Sequence, residues 1–131
     1  MSSRLLRILL VEDDPDTQFV VKVLLDDMSH LTVEGVRSGE DAVRKVSSYV
    51  PDLLLMDYRL PVMNGLETLR ELRKLPQTAT TPAILMTSHP PEMASYKDLG
   101  VVHVIVKPFD PVALSTLIDT IWQNYGPTQA Q

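Results

Sequence analysis

The sequence predicts an α/β fold in which helices cover both faces of a five-stranded parallel sheet. Two observations indicate this class. Short apolar runs recur along the chain, and the run at residues 53–57 lacks the alternation of a strand with one wet face, so it suits a strand buried on both sides. A segment with helical spacing or capping signals follows each run, and strands that alternate with helices form parallel sheets with right-handed crossovers.

The predicted strands end where polar residues begin. They are residues 7–11, 31–36, 53–57, 82–86 and 101–106. The third strand has four consecutive apolar residues ahead of Asp57, whereas the second strand has the weakest pattern. For five such units we expect the doubly wound, flavodoxin-like strand order 2-1-3-4-5.

Five predicted helices lie between and after the strands. The first begins at Pro15 with Asp14 as its N-cap, because proline suits the first helical position and aspartate accepts free backbone N–H groups. Its expected buried face consists of Phe19, Val20, Val23, Leu24 and Met28. The second helix opens at residues 38–41, which resemble a capping box with Asp41 in place of glutamate, and ends near residues 49–51. Its expected buried residues are Ala42, Val43 and Val46.

The other three helices follow the third, fourth and fifth strands. The third ends near Lys74 and carries leucines at helical spacing, Leu66, Leu69 and Leu72. A short fourth helix is predicted at residues 92–99, because two prolines precede it and Gly100 can end it. The last helix starts at Pro111 behind Asp110 as its cap. Its apolar face is expected to include Val112, Leu114, Leu117, Ile118 and Ile121 or Trp122.

Composition restricts the class of protein. The 131 residues suffice for one domain, expected at residues 7–125 between an N-terminal extension of residues 1–6 and a polar tail of residues 126–131. The net charge of -5 and the pI near 5.0 argue against direct nucleic-acid binding, which usually needs a basic patch. The absence of cysteine excludes disulfides and thiolate catalysis. No apolar stretch approaches the roughly 18 residues of a membrane span, so we expect a cytoplasmic protein without membrane contact.

Polar residues follow the predicted strands at the edge where their carboxyl ends meet. Glu12 and Asp13 follow the first strand, Asp57 ends the third, Thr87 follows the fourth and Lys107 the fifth. Ligands of open α/β sheets bind outside these ends. Crowded carboxylates need a cation, and oxygen ligands suit Mg²⁺ together with a phosphate. The lysine and the hydroxyl can stabilise phosphoryl oxygens, and a carboxylate can act as the nucleophile that forms an acyl phosphate.

Each of these residues also has a purely structural interpretation. Asp57 can cap a turn, which Pro61 and the pair Asn64-Gly65 also suggest. The two acids after the first strand can be solvated loop residues, the threonine a strand end and the lysine a surface charge. His103 is interpreted as a packed or surface histidine, because no second histidine is spaced to join it in a metal site. The joint occurrence of the five strand-end residues favours a site.

Four motifs in order resemble the receiver domain of two-component response regulators. They are Leu10-Val11-Glu12-Asp13, Met56-Asp57 with residues 60–65, Met86-Thr87-Ser88 and Val106-Lys107-Pro108-Phe109. Their spacing covers residues 7 to about 125. The resemblance implies a switch that takes a phosphoryl group onto Asp57 from a sensor histidine kinase or a histidine phosphotransfer protein. It also implies Mg²⁺ as cofactor and a downstream protein as partner.

The same resemblance implies which residues hold the metal. Glu12 and Asp13 match the acids that bind Mg²⁺ directly or through water in this family, next to the acceptor Asp57. The backbone carbonyl of Arg59 matches a further ligand. The side chains of Arg59 and His89 flank the phosphoryl pocket at positions that tune water attack in the family, so we expect both to alter the lifetime of the acyl phosphate.

The switch residues match the family in part. Thr87 matches the residue that senses the phosphoryl group, and Lys107 matches the one that pairs with it, ahead of a cis Pro108. Three residues before the lysine, receivers often carry tyrosine or phenylalanine, but this chain has Val104. A stiff, β-branched aliphatic side chain cannot act as an aromatic latch. We therefore expect the output surface of the fourth helix, fifth strand and fifth helix to respond weakly or by another route.

Other interpretations stay open. The chain can be a stand-alone receiver, which Met1 and the polar tail favour, or a receiver excised from a larger regulator or hybrid kinase. A homodimer through the last two helices is also an open interpretation. A Mg²⁺-dependent aspartyl phosphatase also uses an aspartate nucleophile, but commonly has a second acid two residues later, where Arg59 stands. A degenerate receiver that only binds partners would lack the acid pair or the lysine, and neither is missing.

Overall fold

The computed structural model, which describes residues 6–28, 30–88 and 96–125, contains an all-parallel sheet in the order β2-β1-β3-β4-β5. The strands are β1 (Leu6–Val11), β2 (Leu31–Val36), β3 (Leu53–Asp57), β4 (Ala83–Thr87) and β5 (Val101–Val106). The predicted number and order are confirmed, and every strand lies within one residue of its predicted bounds. β4 begins after Pro82, because proline has no N–H for the ladder.

Four α-helices occur in the described part of the chain. They are α1 (Pro15–Asp26), α2 (Gly39–Lys45), α3 (Gly65–Arg73) and α4 (Pro111–Tyr125). Five were predicted. The remaining one, at residues 92–99, falls largely outside the described residues, and its described end, Lys97–Leu99, is a 3-10 turn. Gly100 ends this turn in the left-handed region with φ 77°, as predicted for an exit glycine. A second 3-10 turn, Pro76–Thr78, precedes β4.

Two apolar layers cover the sheet, one on each face. Along β1 the side chains alternate, so Ile8 and Leu10 join one layer while Leu9 and Val11 join the other. The first layer contains residues of α1 and α4, and the second contains residues of α2 and α3. Helices on both faces, predicted from the alternation of strands with helices, are confirmed.

The buried face of α1 differs from the prediction. Val21 and Leu25 are its buried residues. Three residues predicted for the core are instead exposed, namely Phe19 (69%), Val20 (48%) and Val23 (53%). Apolar residues lie on several stripes of α1, and the stripe that faces the sheet contains Gln18, Val21 and Leu25, which are spaced at helical intervals. On this stripe the side-chain amide of Gln18 donates to backbone carbonyls at the ends of β1 and β2.

The other helices need smaller corrections. In α2, Ser38 caps the helix as predicted, but the carboxylate of Asp41 pairs with Arg44 instead of returning to the cap, because it is one methylene shorter than glutamate. α2 also ends at Lys45, earlier than predicted.

In α4 the predicted face is right except at its start. Leu114, Ile118 and Ile121 are buried, and Leu117 and Trp122 are partly buried. Val112 is 69% exposed, because it lies in the first turn, where its N–H donates to the capping carboxylate of Asp110 at 3.0 Å. None of the described helices, α4 included, has the length and apolar character needed to cross a membrane.

Candidate functional site

The carboxyl ends of β1, β3, β4 and β5 surround one cleft of about 240 Å³. Asp57 and Thr87 are the last residues of β3 and β4, and Glu12 and Lys107 directly follow β1 and β5. The cleft is lined by Glu12, Asp13, Asp14, Thr17, Asp57, Arg59, Thr87, Ser88 and Lys107. All five residues predicted at the strand ends therefore lie around the same cavity.

The ammonium group of Lys107 joins two carboxylates. Its Nζ lies 3.0 Å from Oε1 of Glu12 and 3.2 Å from Oδ2 of Asp57. The lysine is positioned through its backbone, because its N–H donates to the carbonyl of Thr87 at 2.9 Å. The peptide bond to Pro108 is cis, as the resemblance implied. The contacts of Lys107 Nζ place a compensating positive charge beside Asp57, the acid at the end of β3.

The three acids differ sharply in exposure. Glu12 is fully buried and Asp57 is 5% exposed, whereas Asp13 is exposed at the mouth of the cleft. A buried carboxylate is costly unless both oxygens have partners. The second oxygen of Glu12 accepts the N–H of Asp14 at 3.1 Å, and the second oxygen of Asp57 accepts the N–H of Arg59 at 3.3 Å. Each buried carboxylate therefore has one oxygen on the lysine and one on the backbone.

Burial and charge act in opposite directions on the two ionised partners. Burial raises the pKa of Glu12, although the N–H of Asp14 and the ammonium of Lys107 oppose this effect. Burial also lowers the pKa of Lys107, but the hydrogen bond to Glu12 and the charge of Asp57 outweigh it, and the pKa is raised overall. The lysine is therefore firmly charged at neutral pH, while Glu12 holds a proton more readily than a free glutamate does.

Glu12, Asp13 and Asp57 form an acidic cluster suited to a hard cation. One oxygen from each carboxylate lies within 4.8 Å of the others. Mg²⁺ prefers oxygen ligands, binds one or two protein carboxylates and keeps several waters or phosphate oxygens. The exposed position of Asp13 leaves the cluster open to such ligands. The donor set of this cleft therefore fits Mg²⁺.

The loop after β3 is held tightly against that strand. A Cβ at Gly65 would lie 2.6 Å from the carbonyl oxygen of Asp57, so glycine is needed for this close approach. α3 begins at this glycine with a capping box between Asn64 and Glu67. At the loop tip, Val62 is 87% exposed and has φ 69°, a conformation that is rare for a β-branched residue.

The structure describes two of the predicted modulating residues, Arg59 and Val104. Arg59 is exposed and lines the cleft. Val104 is partly buried and packs into the apolar layer of α2 and α3. His89 lies outside the described residues. His103 is exposed on β5.

The apolar pattern of α1 does not reveal the part played by Gln18. Its side-chain Nε2 lies 3.1 Å from the carbonyl oxygen of Glu12 and 2.9 Å from that of Val36. A signal was present at Gly35 in β2, because a glycine inside a strand often marks the close approach of another group. The cleft is also lined by two hydroxyl residues that were not predicted as site residues, Thr17 and Ser88.

Comparison with known proteins agrees with this geometry. The family model for the response regulator receiver domain matches residues 8–119. The transcriptional regulatory protein CpxR of Klebsiella pneumoniae is 38% identical over 117 residues, covering 88% of this chain and 48% of that protein. An uncharacterized 14.6 kDa protein of Leptolyngbya boryana is 33% identical over 122 residues, covering 92% of each. This chain thus spans about half the length of CpxR.

A solved structure of the same fold contains a metal ion. The receiver domain of the sensor histidine kinase PA1611 from Pseudomonas aeruginosa is 31% identical and superposes with a TM-score of 0.77, covering 92% of this chain and 97% of that chain. Its structure has a magnesium ion coordinated in the active site cleft. The fold, the sequence matches over most of the chain and the cleft at the strand ends agree: this chain belongs to the family of response regulator receiver domains.

Proposed function

We propose that Asp57 is the residue that accepts a phosphoryl group, since phosphoryl acceptance is the standard function of receiver domains. The observation that carries this proposal is the pairing of a buried carboxylate with Lys107 at 3.2 Å, next to the acids Glu12 and Asp13. The carboxylate ends a central strand, and it faces the crevice in which open α/β sheets bind their ligands. A receiver domain of this kind is a signalling switch.

The proposed reaction exchanges one bond to phosphorus for another. A carboxylate oxygen of Asp57 attacks the phosphorus of a phosphohistidine, and the phosphorus–nitrogen bond breaks. The electron pair of that bond stays on the imidazole nitrogen, which takes up a proton, and an acyl phosphate remains on Asp57. The proposed donor is a sensor histidine kinase or a histidine phosphotransfer protein, because receiver domains interact with both kinds of protein.

Mg²⁺ is the proposed cofactor, held by the carboxylates of Glu12, Asp13 and Asp57 and the backbone carbonyl of Arg59. The close approach of the three carboxylates supports this, as does the magnesium ion of the PA1611 receiver domain. When bound, the cation neutralises the charge that phosphoryl oxygens bring into the cleft. We assign the remaining stabilisation to the ammonium of Lys107 and the hydroxyl group of Thr87, both in the wall of the cleft.

The switch is reset when water attacks the phosphorus and releases inorganic phosphate from Asp57. We propose that Arg59 and His89 alter the rate of this step, Arg59 from its exposed position at the cleft. Arg59→Ala and His89→Ala variants, phosphorylated and then freed of donor, test the idea. Unchanged dephosphorylation rates in both variants would contradict it.

We propose a protein as the downstream partner. The net charge of -5 supports this over a nucleic acid, because phosphate backbones require a basic surface. This chain matches only 48% of CpxR, so the activities of the other half of CpxR do not bear on the partner proposed here. A small-molecule phosphatase is not favoured, because the residue two positions after Asp57 is Arg59 and not a second acid.

Phosphorylation of the isolated chain tests the assignment of Asp57. Wild type and Asp57→Asn are incubated with acetyl phosphate and Mg²⁺, and their intact masses are measured. We expect one phosphoryl adduct on the wild type and none on the variant. Asp41→Asn, which changes an exposed acid of α2, is the matched control and is expected to behave like the wild type. An adduct on Asp57→Asn, or none on the wild type with any donor, would overturn the proposal.

A further inference from the structure

Gln18 connects the end of β1, which leads to the acid pair, with the end of the neighbouring strand β2. Its Nε2 donates to the carbonyl of Glu12 at 3.1 Å and to that of Val36 at 2.9 Å. Both partners are acceptors only, which determines how the amide is oriented. The carbonyl of Val36 also accepts the N–H of Glu12 at 3.0 Å. Gln18 therefore adds a side-chain bridge between the ends of β1 and β2, at the point where the backbone leaves β1.

β2 has room for this amide because it carries Gly35. A Cβ at this position would lie 2.9 Å from Cδ and 3.0 Å from Oε1 of Gln18. Glycine inside a strand usually weakens the strand, since it packs no side chain and loses more backbone entropy on folding. The side chain of Gln18 occupies the space that a side chain at this position would take. Gly35 and Gln18 thus form one structural unit across α1 and β2.

Gln18 also bonds to the other end of residues 12–14, the loop that carries Glu12 and Asp13. The backbone N–H of Gln18 donates to the carbonyl of Asp14 at 2.9 Å, at the start of α1. The side chain of Gln18 therefore holds the carbonyl of Glu12 while its backbone holds that of Asp14. Residues 12–14 are tied at both ends, and they carry two of the three carboxylates of the acidic cluster.

We propose that Gln18 is a positioning residue for the metal, one that keeps the carboxylates of Glu12 and Asp13 in the arrangement that binds Mg²⁺. This inference rests on the proposed function, which supplies Mg²⁺ as the cation. The side chain of Gln18 bonds to the backbone of a ligand residue and not to Asp57. Its loss therefore weakens the binding of Mg²⁺ and leaves phosphoryl transfer intact when the metal is in excess.

Mg²⁺ titrations followed by backbone amide NMR, without any phosphoryl donor, test the inference. Gln18→Met keeps the length of the side chain but removes the donor, and Gly35→Ala keeps the amide but displaces it. We expect the dissociation constant of Mg²⁺ to rise about tenfold in Gln18→Met, the low end of the effect of losing an outer-shell partner, and to rise less in Gly35→Ala. The matched control is Gln77→Met, which removes an amide bonded to the carbonyl of Val46 at 3.4 Å and should leave the constant unchanged.

The rate of phosphorylation by acetyl phosphate, measured against Mg²⁺ concentration, separates positioning from general damage. Gln18→Met should need more Mg²⁺ for its half-maximal rate and reach the wild-type rate at saturation. Equal Mg²⁺ affinity in the wild type and both variants overturns the inference, as does a rate defect in Gln18→Met that saturating Mg²⁺ does not restore. If Gln18→Met does not fold, Gly35→Ala decides by the same criteria. A wild type that is phosphorylated on Asp57 without binding Mg²⁺ overturns the inference and leaves the acceptor assignment standing.

Discussion

β3 and β5 both lead into the cleft, but the protein holds them very differently. All five residues of β3 are buried, whereas β5 lies at the sheet edge and has one buried residue, Ile105. The register between β4 and β5 is also interrupted near Ala83. Asp57 thus belongs to a strand that cannot shift without opening the core, while Lys107 follows a strand that only one buried side chain anchors in the core. In the proposed function, the acceptor carboxylate therefore stands on a more firmly packed strand than the lysine that pairs with it.

Truncation of one side chain in each strand is the most direct test of the difference between β3 and β5. Leu55→Ala should lower the free energy of unfolding by about 3–5 kcal/mol, because Leu55 is fully buried and its loss leaves a cavity. Val104→Ala should cost about 1 kcal/mol, because this side chain is only partly buried. Urea unfolding of both variants measures the difference. Equal losses would show that the edge strand is held as firmly as the central one.

Removal of the lysine that connects the two strands should have the next largest effect. Lys107→Met leaves the buried carboxylates of Glu12 and Asp57 without a cation, and we expect a loss of about 2 kcal/mol at pH 7. This is below the usual cost of breaking a buried pair, because the lysine side chain is 24% exposed. Lys74→Met, which removes an exposed partner of Glu71, is the control and should cost less than about 0.5 kcal/mol.

The loss in Lys107→Met should shrink as the pH falls from 7 to 5. Burial raises the pKa of Glu12, so the folded protein binds more protons at this carboxyl than the unfolded chain does. The stabilisation from that proton is fully present below the ordinary value of 4.5 and is lost as the pH rises through the raised pKa. Removing the lysine raises the pKa further and moves this range toward neutral pH. An equal loss at pH 5 and pH 7 would contradict the account.

The strands were predicted best from the sequence, and this holds for the central β3 and for the edge strand β5 alike. An unalternating apolar run such as residues 53–57 specifies a buried strand, and the geometry of parallel sheets then brings the residues after each strand together. The buried face of α1 could not be read in this way, because apolar residues occupy several of its stripes. The stripe that faces the sheet also carries Gln18, whose amide bonds to the carbonyls of Glu12 and Val36 at the ends of β1 and β2. Periodicity carries no information about such a bond.

The loop after β3 offers a smaller test of the same rigidity. Val62→Asn should raise the free energy of unfolding by about 1 kcal/mol, because asparagine tolerates the positive φ that is strained for valine. Val50→Asn is the control, since Val50 is also exposed but is not among the described residues with positive φ. Urea unfolding checks both variants. Equal stability of Val62→Asn and the wild type would mean that the loop relaxes freely, unlike the strand that it follows.

The smallest expected effect is the response of β5 itself. Beryllofluoride with Mg²⁺, a mimic of the phosphoryl group, should shift the backbone amides around the cleft strongly, that of Lys107 included, and those of the other residues of 101–119 only weakly. Val104 is an aliphatic side chain packed in the layer of α2 and α3, and it has no ring to move in response to the contact that we propose between Thr87 and the phosphoryl group. Val104→Tyr supplies that ring and should extend the shifts along β5 and α4. A full response across residues 101–119 in the wild type would contradict this, and would show that an edge strand with few buried residues transmits the signal without an aromatic side chain.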